Sequence, residues 1–381
     1  MKISSKIRNV TPVELSSNGY PVVFMHTGVG ESGDLDQAIN EERNKIQRAL
    51  DLGVDVICDV SMSNKMKYVH EGLMKEFNVP FGTVTVYEAY INSQNNNFKY
   101  SEEDFLNLFL EEIKRGFDII TIHATVFKDD RKYIENSNRL ISSTSRGGML
   151  MLKLMEENNY ENPFYTHFDK ILDMCLEYNV CLSLGPMYRP ASICDCSVND
   201  FLINLEIERM SELVKKAIDK NVGICIEGIG HAPLNRIPEI IKFQKEKCYN
   251  VPYRVMTVAT DIALGYDHIS SAIASAMAIY SGADSITCVS RSEHIGIPTL
   301  EEAIEGVETA RIAAYCGYIA KTNDFSRDRK MSIAREKNGC LGHIPSVLFP
   351  EKTLEIISKK DSKKEGKSCS MCGSYCPLNK L

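Results

Sequence analysis

The sequence predicts an α/β protein built as an eightfold β/α barrel, followed by a helical extension and a cysteine-bearing tail. Three observations predict it. Short apolar runs rich in β-branched residues recur eight times. Stretches with helical spacing separate them. Polar, chemically capable residues gather after one end of the runs, and turn residues at the other.

The expected strands are 22–26, 54–60, 81–86, 118–123, 180–184, 223–227, 253–258 and 285–289. They are nearly continuous apolar runs, as expected of strands buried on both faces by flanking helices. Helical spacing marks 35–52, 65–76, 101–116, 165–178, 199–221, 236–247 and 267–281. The alternation fits a (β/α)₈, TIM-type barrel over 1–299. A doubly wound open sheet is the competing architecture. Residues 92–100 read as a polar loop. Residues 300–356 read as a helical extension, and 357–381 as a flexible tether with a cluster-binding segment.

Composition bounds the function. The 381 residues are 44% hydrophobic and 25% charged, with net charge −7. No basic block suits a nucleic-acid backbone. No run approaches the ~20 apolar residues of a membrane span. The N-terminal stretch lacks a signal-peptide core, so a cytoplasmic location is expected. Of 13 cysteines, Cys58, Cys181, Cys225 and Cys288 sit in apolar runs and read as buried, reduced thiols.

In a barrel, chemistry gathers at the C-terminal ends of the strands. There this chain carries Asp59, Tyr87, Glu88, His123, Tyr188, Arg189, Glu227, His231, Asp261, Arg291, Glu293 and His294. The opposite ends carry Gly53, Gly116, Asn179 and Asn221. His231 and His294 stand in matched loops, GIGHAP and EHIGIP, and are the candidate ligands of one divalent metal, zinc or iron. Loop capping by the same imidazoles is the alternative. His123 suits hydrogen bonding or acid/base work. His26, His70, His167, His268 and His343 read as structural. STSRGG, 143–148, opens a helix with Ser145 and Arg146, either as a phosphate cradle or as a simple N-cap. GVGESG, 28–33, matches a dinucleotide fingerprint, but that reading leaves the seven further β/α alternations unexplained, and a tight turn with Asp34 near the helix start is the preferred account.

The tail reads C-x-x-C-x-x-x-C at Cys369, Cys372 and Cys376. Three thiolates hold three irons of a [4Fe–4S] cluster and leave the fourth open to S-adenosylmethionine. A zinc site wants four ligands and fits less well. Zinc, or no metal at all, is the alternative.

Together ESGDLDQAI, VPFGTVTVYEA, TIHA, TSRGG, FYTHFD, LSLGPMYRPASI, IEGIGHAP, ATDIALGYDHISSAI, SEHIGIP and CSMCG resemble one family, from about residue 21 to the C-terminus. It is the radical S-adenosylmethionine family of phosphomethylpyrimidine synthase, which includes 5-hydroxybenzimidazole synthase. The resemblance implies a (β/α)₈ barrel with a C-terminal cluster segment. It implies 5-aminoimidazole ribotide as substrate, rearranged by a 5′-deoxyadenosyl radical, with an external electron donor. It assigns the metal to His231 and His294. It assigns substrate contacts to Tyr87, His123, Ser145, Arg146, Gly147, Arg189 and Glu227. It also implies a homodimer whose cluster segment closes the partner's active site.

The chain departs from the family pattern at several places. Its usual Asn-Ala-Asn-Ile-Gly is His26-Thr27-Gly28-Val29-Gly30 here, and Asp-Gly-Leu-Arg is Pro186-Met187-Tyr188-Arg189. Cys58 stands for a substrate-contacting Met, and Arg254 for a contacting Tyr. The spacing from Cys372 to Cys376 is one residue short. Lost contacts fall mostly on the substrate side, so a paralogue with a changed ribotide substrate or product is a second reading. A non-catalytic metal-binding relative is a third.

Overall fold

The computed structural model describes residues 1–16, 19–30, 33–360 and 371–375, without the side chains of 340, 341 and 374. The chain divides into two units, Met1–Gly317 and Tyr318–Leu381, and the helix Leu300–Thr322 runs across the division.

The first unit is the expected barrel. Strands β1 (Lys2–Ile3) and β2 (Val13–Glu14) form a small antiparallel pair. The barrel strands are β3 (Val22–Thr27), β4 (Val56–Asp59), β5 (Phe81–Val84), β6 (Ile119–Ile122), β7 (Cys181–Leu184), β8 (Ile224–His231), β9 (Tyr253–Val258) and β10 (Ser285–Thr287). They close in sequence order, all parallel, with β10 returning to pair with β3. An open doubly wound sheet is thereby excluded. Boundaries differ from the sequence reading by at most four residues, and β9 matches it at both ends. The largest extension is in β8, which runs through Gly228–His231 and pairs with β9 from Ile226 to His231.

Short turn chemistry returns each helix to the sheet. Gly53 and Gly116 have φ of +90° and +104°, and Asn179 and Asn221 have φ of +55° and +57°. These are left-handed positions, where Gly and Asn are the tolerated residues. At the other ends, Asp34, Ser101 and Asp200 cap the helices Leu35–Asp51, Glu102–Arg115 and Phe201–Asp219 through their side chains.

The N-terminal pair closes the lower end of the barrel. Ile3 and Leu15 are fully buried against Val22, Phe24, Val56, Ile119, Cys181 and Cys225. Ser5 donates from its amide (2.8 Å) and hydroxyl (2.9 Å) to Asp118 Oδ1 at the start of β6. Cys58, Cys181, Cys225 and Cys288 are buried free thiols, as their apolar contexts predict.

Two expectations change. The helix Thr85–Asn95 takes up the start of the predicted polar loop at 92–100, because Tyr87, Ala89, Tyr90 and Ile91 bury along it. The helix Pro350–Lys359 reaches into the predicted tether, and residues 361–370 lie outside the described residues. In the second unit Arg327 donates to the carbonyls of Ser346 and Val347, both at 2.8 Å. Among the described residues, no helix is long and apolar enough to cross a membrane.

Candidate active site

A cavity of about 440 Å³ opens at the C-terminal ends of the barrel strands. His231 and His294 stand on one wall. Their rings lie 5.0 Å apart, centroid to centroid, at 65°. His231 Nδ1 is 2.8 Å from Asp261 Oδ1, and His294 Nδ1 is 3.1 Å from Asp267 Oδ1. A carboxylate at Nδ1 fixes that nitrogen as the N–H and leaves Nε2 with its lone pair outward, the arrangement metal-binding histidines use. Asp261 is itself fixed, accepting from the Ile193 amide (2.9 Å) and the Ser192 hydroxyl (3.2 Å). Burial lowers the pKa of His231 against the pull of Asp261, which favours the neutral, ligating form. The backbone delivering His231 is unusual: Ile229 and Gly230 have φ of +66° and +107°. A Cβ at Gly230 would lie 2.6 Å from the Pro190 carbonyl, so only glycine fits there.

The cavity also carries cations. Arg146, first residue of the helix Arg146–Asn158, stacks 4.2 Å over Tyr87 and donates to the Val60 carbonyl at 3.0 Å. Arg189 follows β7, and its Nε is buried without a hydrogen-bond partner among the described residues. A buried guanidinium N–H without an acceptor is costly, and an anionic ligand group would satisfy it. Ser145 caps its helix, its Oγ accepting from Gly148 N at 3.2 Å, so the N-cap reading holds for that side chain. Gly147 packs on His123, where an added Cβ would come within 2.2 Å of the ring.

The residues proposed from the sequence therefore separate into two groups. Tyr87, Arg146, Arg189, His231 and His294 line the cavity. Cys58, His123, Ser145, Gly147, Glu227 and Arg254 are buried and are not among its lining residues. Three of these six, Cys58, Glu227 and Arg254, meet within the barrel. Arg254 forms an ion pair with Glu227 Oε1, which also accepts from Ser183 (2.6 Å) and Thr121 (3.1 Å). Arg254 reaches Cys58 Sγ at 3.5 Å and stacks on Phe24 at 4.7 Å. Burial opposes ionisation of Glu227, but Arg254, Ser183 and Arg189 draw its pKa down to about 2. Burial holds His123 down to about 4, and its Nδ1 has no partner among the described residues.

Other polar strand ends serve the scaffold. Asp59 sits 2.9 Å from buried His70, and Glu88 pairs with Arg115. Arg291 pairs with Glu305, and Tyr188 is fully buried. Conversely, His26, read as structural, lines the cavity from the end of β3. That is a correction, and its signal was available, since His26 ends an apolar run as His123 does. The buried pair Glu42–Lys45 also lines the cavity. Glu42 accepts from Thr27 Oγ1 and Lys45 Nζ, both at 2.6 Å. Helical position hid it from a strand-end rule. Gly28, Val29 and Gly30 of the GVGESG stretch line the same cavity, and Asp34 caps the next helix, as the tight-turn reading expects.

Among the described residues, no group of three or more His, Cys, Asp or Glu is placed to hold a metal. Cys372 is exposed. Cys369 and Cys376 lie outside the described residues.

Comparison with known proteins follows the same lines. Residues 22–381 match the model of the Radical SAM ThiC family. Phosphomethylpyrimidine synthase of Carboxydothermus hydrogenoformans is 36% identical over 344 residues, 89% of this chain and 80% of that protein. The Clostridium tetani protein of the same name is 37% identical over 90% of this chain and 75% of its own length. That of Clostridioides difficile is 37% identical over 89% and 78%. A solved dihydropteroate synthase from Coxiella burnetii aligns with 85% of the chain at 12% identity and TM-score 0.48, covering 99% of its own length.

Proposed function

The chain belongs to the Radical SAM ThiC family, and from that premise we propose that it is a radical S-adenosylmethionine carbon–carbon lyase. Its substrate in this reading is 5-aminoimidazole ribotide, and its product the thiamine pyrimidine phosphate. The observation that carries the reading is the pairing, in one cavity, of two carboxylate-oriented imidazoles with two arginines.

Each group has a part in that reaction. Arg146 and the unsatisfied Nε of Arg189 bind the ribotide phosphate. His231 and His294 would hold one divalent ion, zinc or iron, which would supply Lewis-acid chemistry beside the substrate. The donor set fits such an ion, since both imidazoles have Nδ1 committed to a carboxylate. His123, kept neutral by burial, hydrogen-bonds without giving up a net charge. Cys369, Cys372 and Cys376 would hold a [4Fe–4S] cluster, which when bound and reduced by an external electron donor would supply one-electron chemistry toward S-adenosylmethionine. The reading includes a homodimer in a cytoplasmic setting, with the tail of one copy serving the other. Exposed apolar side chains on the loops after β9 and β10 support a covering segment: Ile262 and Leu264 follow β9, and Ile295 and Ile297 follow β10, with Ile297 lining the cavity.

One observation favours a second reading, a paralogue with an altered ribotide substrate or another product such as 5-hydroxybenzimidazole. Glu227 is saturated by Arg254, Ser183 and Thr121, so it has little left to offer a substrate. Anaerobic reconstitution with iron and sulfide tests both. Formation of 5′-deoxyadenosine from S-adenosylmethionine is expected; its absence would leave a non-catalytic metal-binding relative. Mass spectrometry of the product from 5-aminoimidazole ribotide then separates the two enzymatic readings.

A further inference from the structure

Two polar groups of β3, His26 and Thr27, line the cavity, and His26 is paired across the sheet with Cys58 of β4. Among the described residues its imidazole makes no hydrogen bond or ion pair, and its ring borders the cavity. Almost every neighbouring polar group is committed: Arg254 to Glu227, Cys58 to Arg254, Thr27 to Glu42. An imidazole half-buried in so crowded a wall loses hydration without protein compensation. A ligand that supplies the missing partner recovers it.

The charge state of the ring follows from its surroundings. Burial first, then the guanidinium of Arg254, with Arg189 and Arg146 behind it, hold the pKa of His26 down to about 3. Glu227 opposes them, but it is already neutralised by Arg254. At neutral pH the ring is therefore an uncharged imidazole with one donor and one acceptor nitrogen. Such a group suits an uncharged polar substituent on a heterocycle. A phosphate finds its partners at Arg146 and Arg189 instead.

We propose that His26 is a specificity-determining residue that hydrogen-bonds the uncharged exocyclic amine of the ribotide base while the arginines hold the phosphate. The proposal rests on the ribotide reading above and adds to it the group that reads the base. It also makes discrimination polar rather than steric: a site built to bond a substrate N–H rejects an analogue without it far more strongly than a missing methylene is rejected.

Calorimetric titration of the reconstituted protein under anaerobic conditions tests it, with three probes. These are 5-aminoimidazole ribotide, the same ribotide lacking its amino group, and inorganic phosphate. His26→Leu should weaken the aminated ribotide about tenfold or more and leave phosphate within about twofold. Against the ribotide lacking the amine, wild type and His26→Leu should bind alike. His26→Asn, which keeps a neutral donor and acceptor, should recover most of the affinity. It also serves as the informative variant should the leucine impair folding. Equal binding of the aminated ribotide by wild type, His26→Leu and His26→Asn would overturn the proposal, as would equal losses for both ribotides. Wild-type protein that binds phosphate but neither ribotide would overturn the ribotide reading itself, and this inference with it. That result is distinct from a ribotide bound without regard to His26.

Discussion

Arg254 and Glu227 form a buried ion pair inside the barrel, and breaking it has a calculable consequence. The Glu227 carboxyl ionises near pH 2 instead of its ordinary 4.5, so linkage makes the folded state about 3 kcal/mol more stable at neutral pH for this group alone. Removing one partner of a buried pair costs a similar ~3–5 kcal/mol, because the other charge is left without its counterion. Arg254→Met keeps most of the volume against Phe24 but removes the guanidinium that also reaches Thr121 and Cys58. It should lower stability by about 3 kcal/mol. Glu227→Gln should cost a comparable amount, and the double variant much less than the sum, since both buried charges leave together. The measurement is urea unfolding followed by far-UV circular dichroism, with equal m-values as the check that all four proteins unfold alike. Because the folded-state pKa is depressed, the contribution is complete above pH 4.5 and is lost as pH falls toward 2. The gap between wild type and Arg254→Met should therefore narrow at about pH 3. A double-mutant coupling below about 0.5 kcal/mol at neutral pH would refute the reasoning, since it would mean the two groups do not act as a pair.

Further predictions concern the metal, the tail and the glycine beneath His123. His231→Ala should abolish binding of one divalent ion per chain by metal analysis. Asp261→Asn should weaken it about 10- to 100-fold, by removing the carboxylate that orients the ring; full retention in both would refute the ligand role. Cys372→Ala should eliminate the visible absorbance of the reconstituted protein, and an unchanged spectrum would rule out the cluster assignment. Gly147→Ala drives a methyl into the His123 ring at 2.2 Å, so backbone or ring must move, with a loss of about 1–3 kcal/mol in thermal or urea unfolding. An unperturbed Gly147→Ala protein would show that the helix start can shift freely.

The barrel was legible because its signal is local and repeated. Eight apolar runs with turn residues at one end and polar residues at the other leave few alternatives, and Gly53, Gly116, Asn179 and Asn221 take the left-handed conformations their identities imply. The paired histidines were legible for the same reason, each following a strand. The rest depends on which way a polar side chain turns, and strand position alone does not decide that. Asp59 ends β4 as His231 ends β8, and Glu88 comes shortly after β5, yet each carboxylate finds a partner among the outer helices, in His70 and Arg115. Arg254 and Glu227 were read as separate substrate contacts, because a sequence separation of 27 conceals the register of β8 on β9, which sets Glu227 beside Arg254. Once that register is known, their opposite charges demand pairing in a medium where an isolated charge is prohibitively costly. The pair keeps both groups out of the cavity lining, while His26, in register beside Cys58, lines the cavity without a side-chain partner among the described residues. A charge introduced on one strand thus changes which residue on another strand is free to meet a ligand. For that reason specificity in this barrel should be sought in the set Arg254, Glu227, Cys58 and His26 together, rather than in any one substitution.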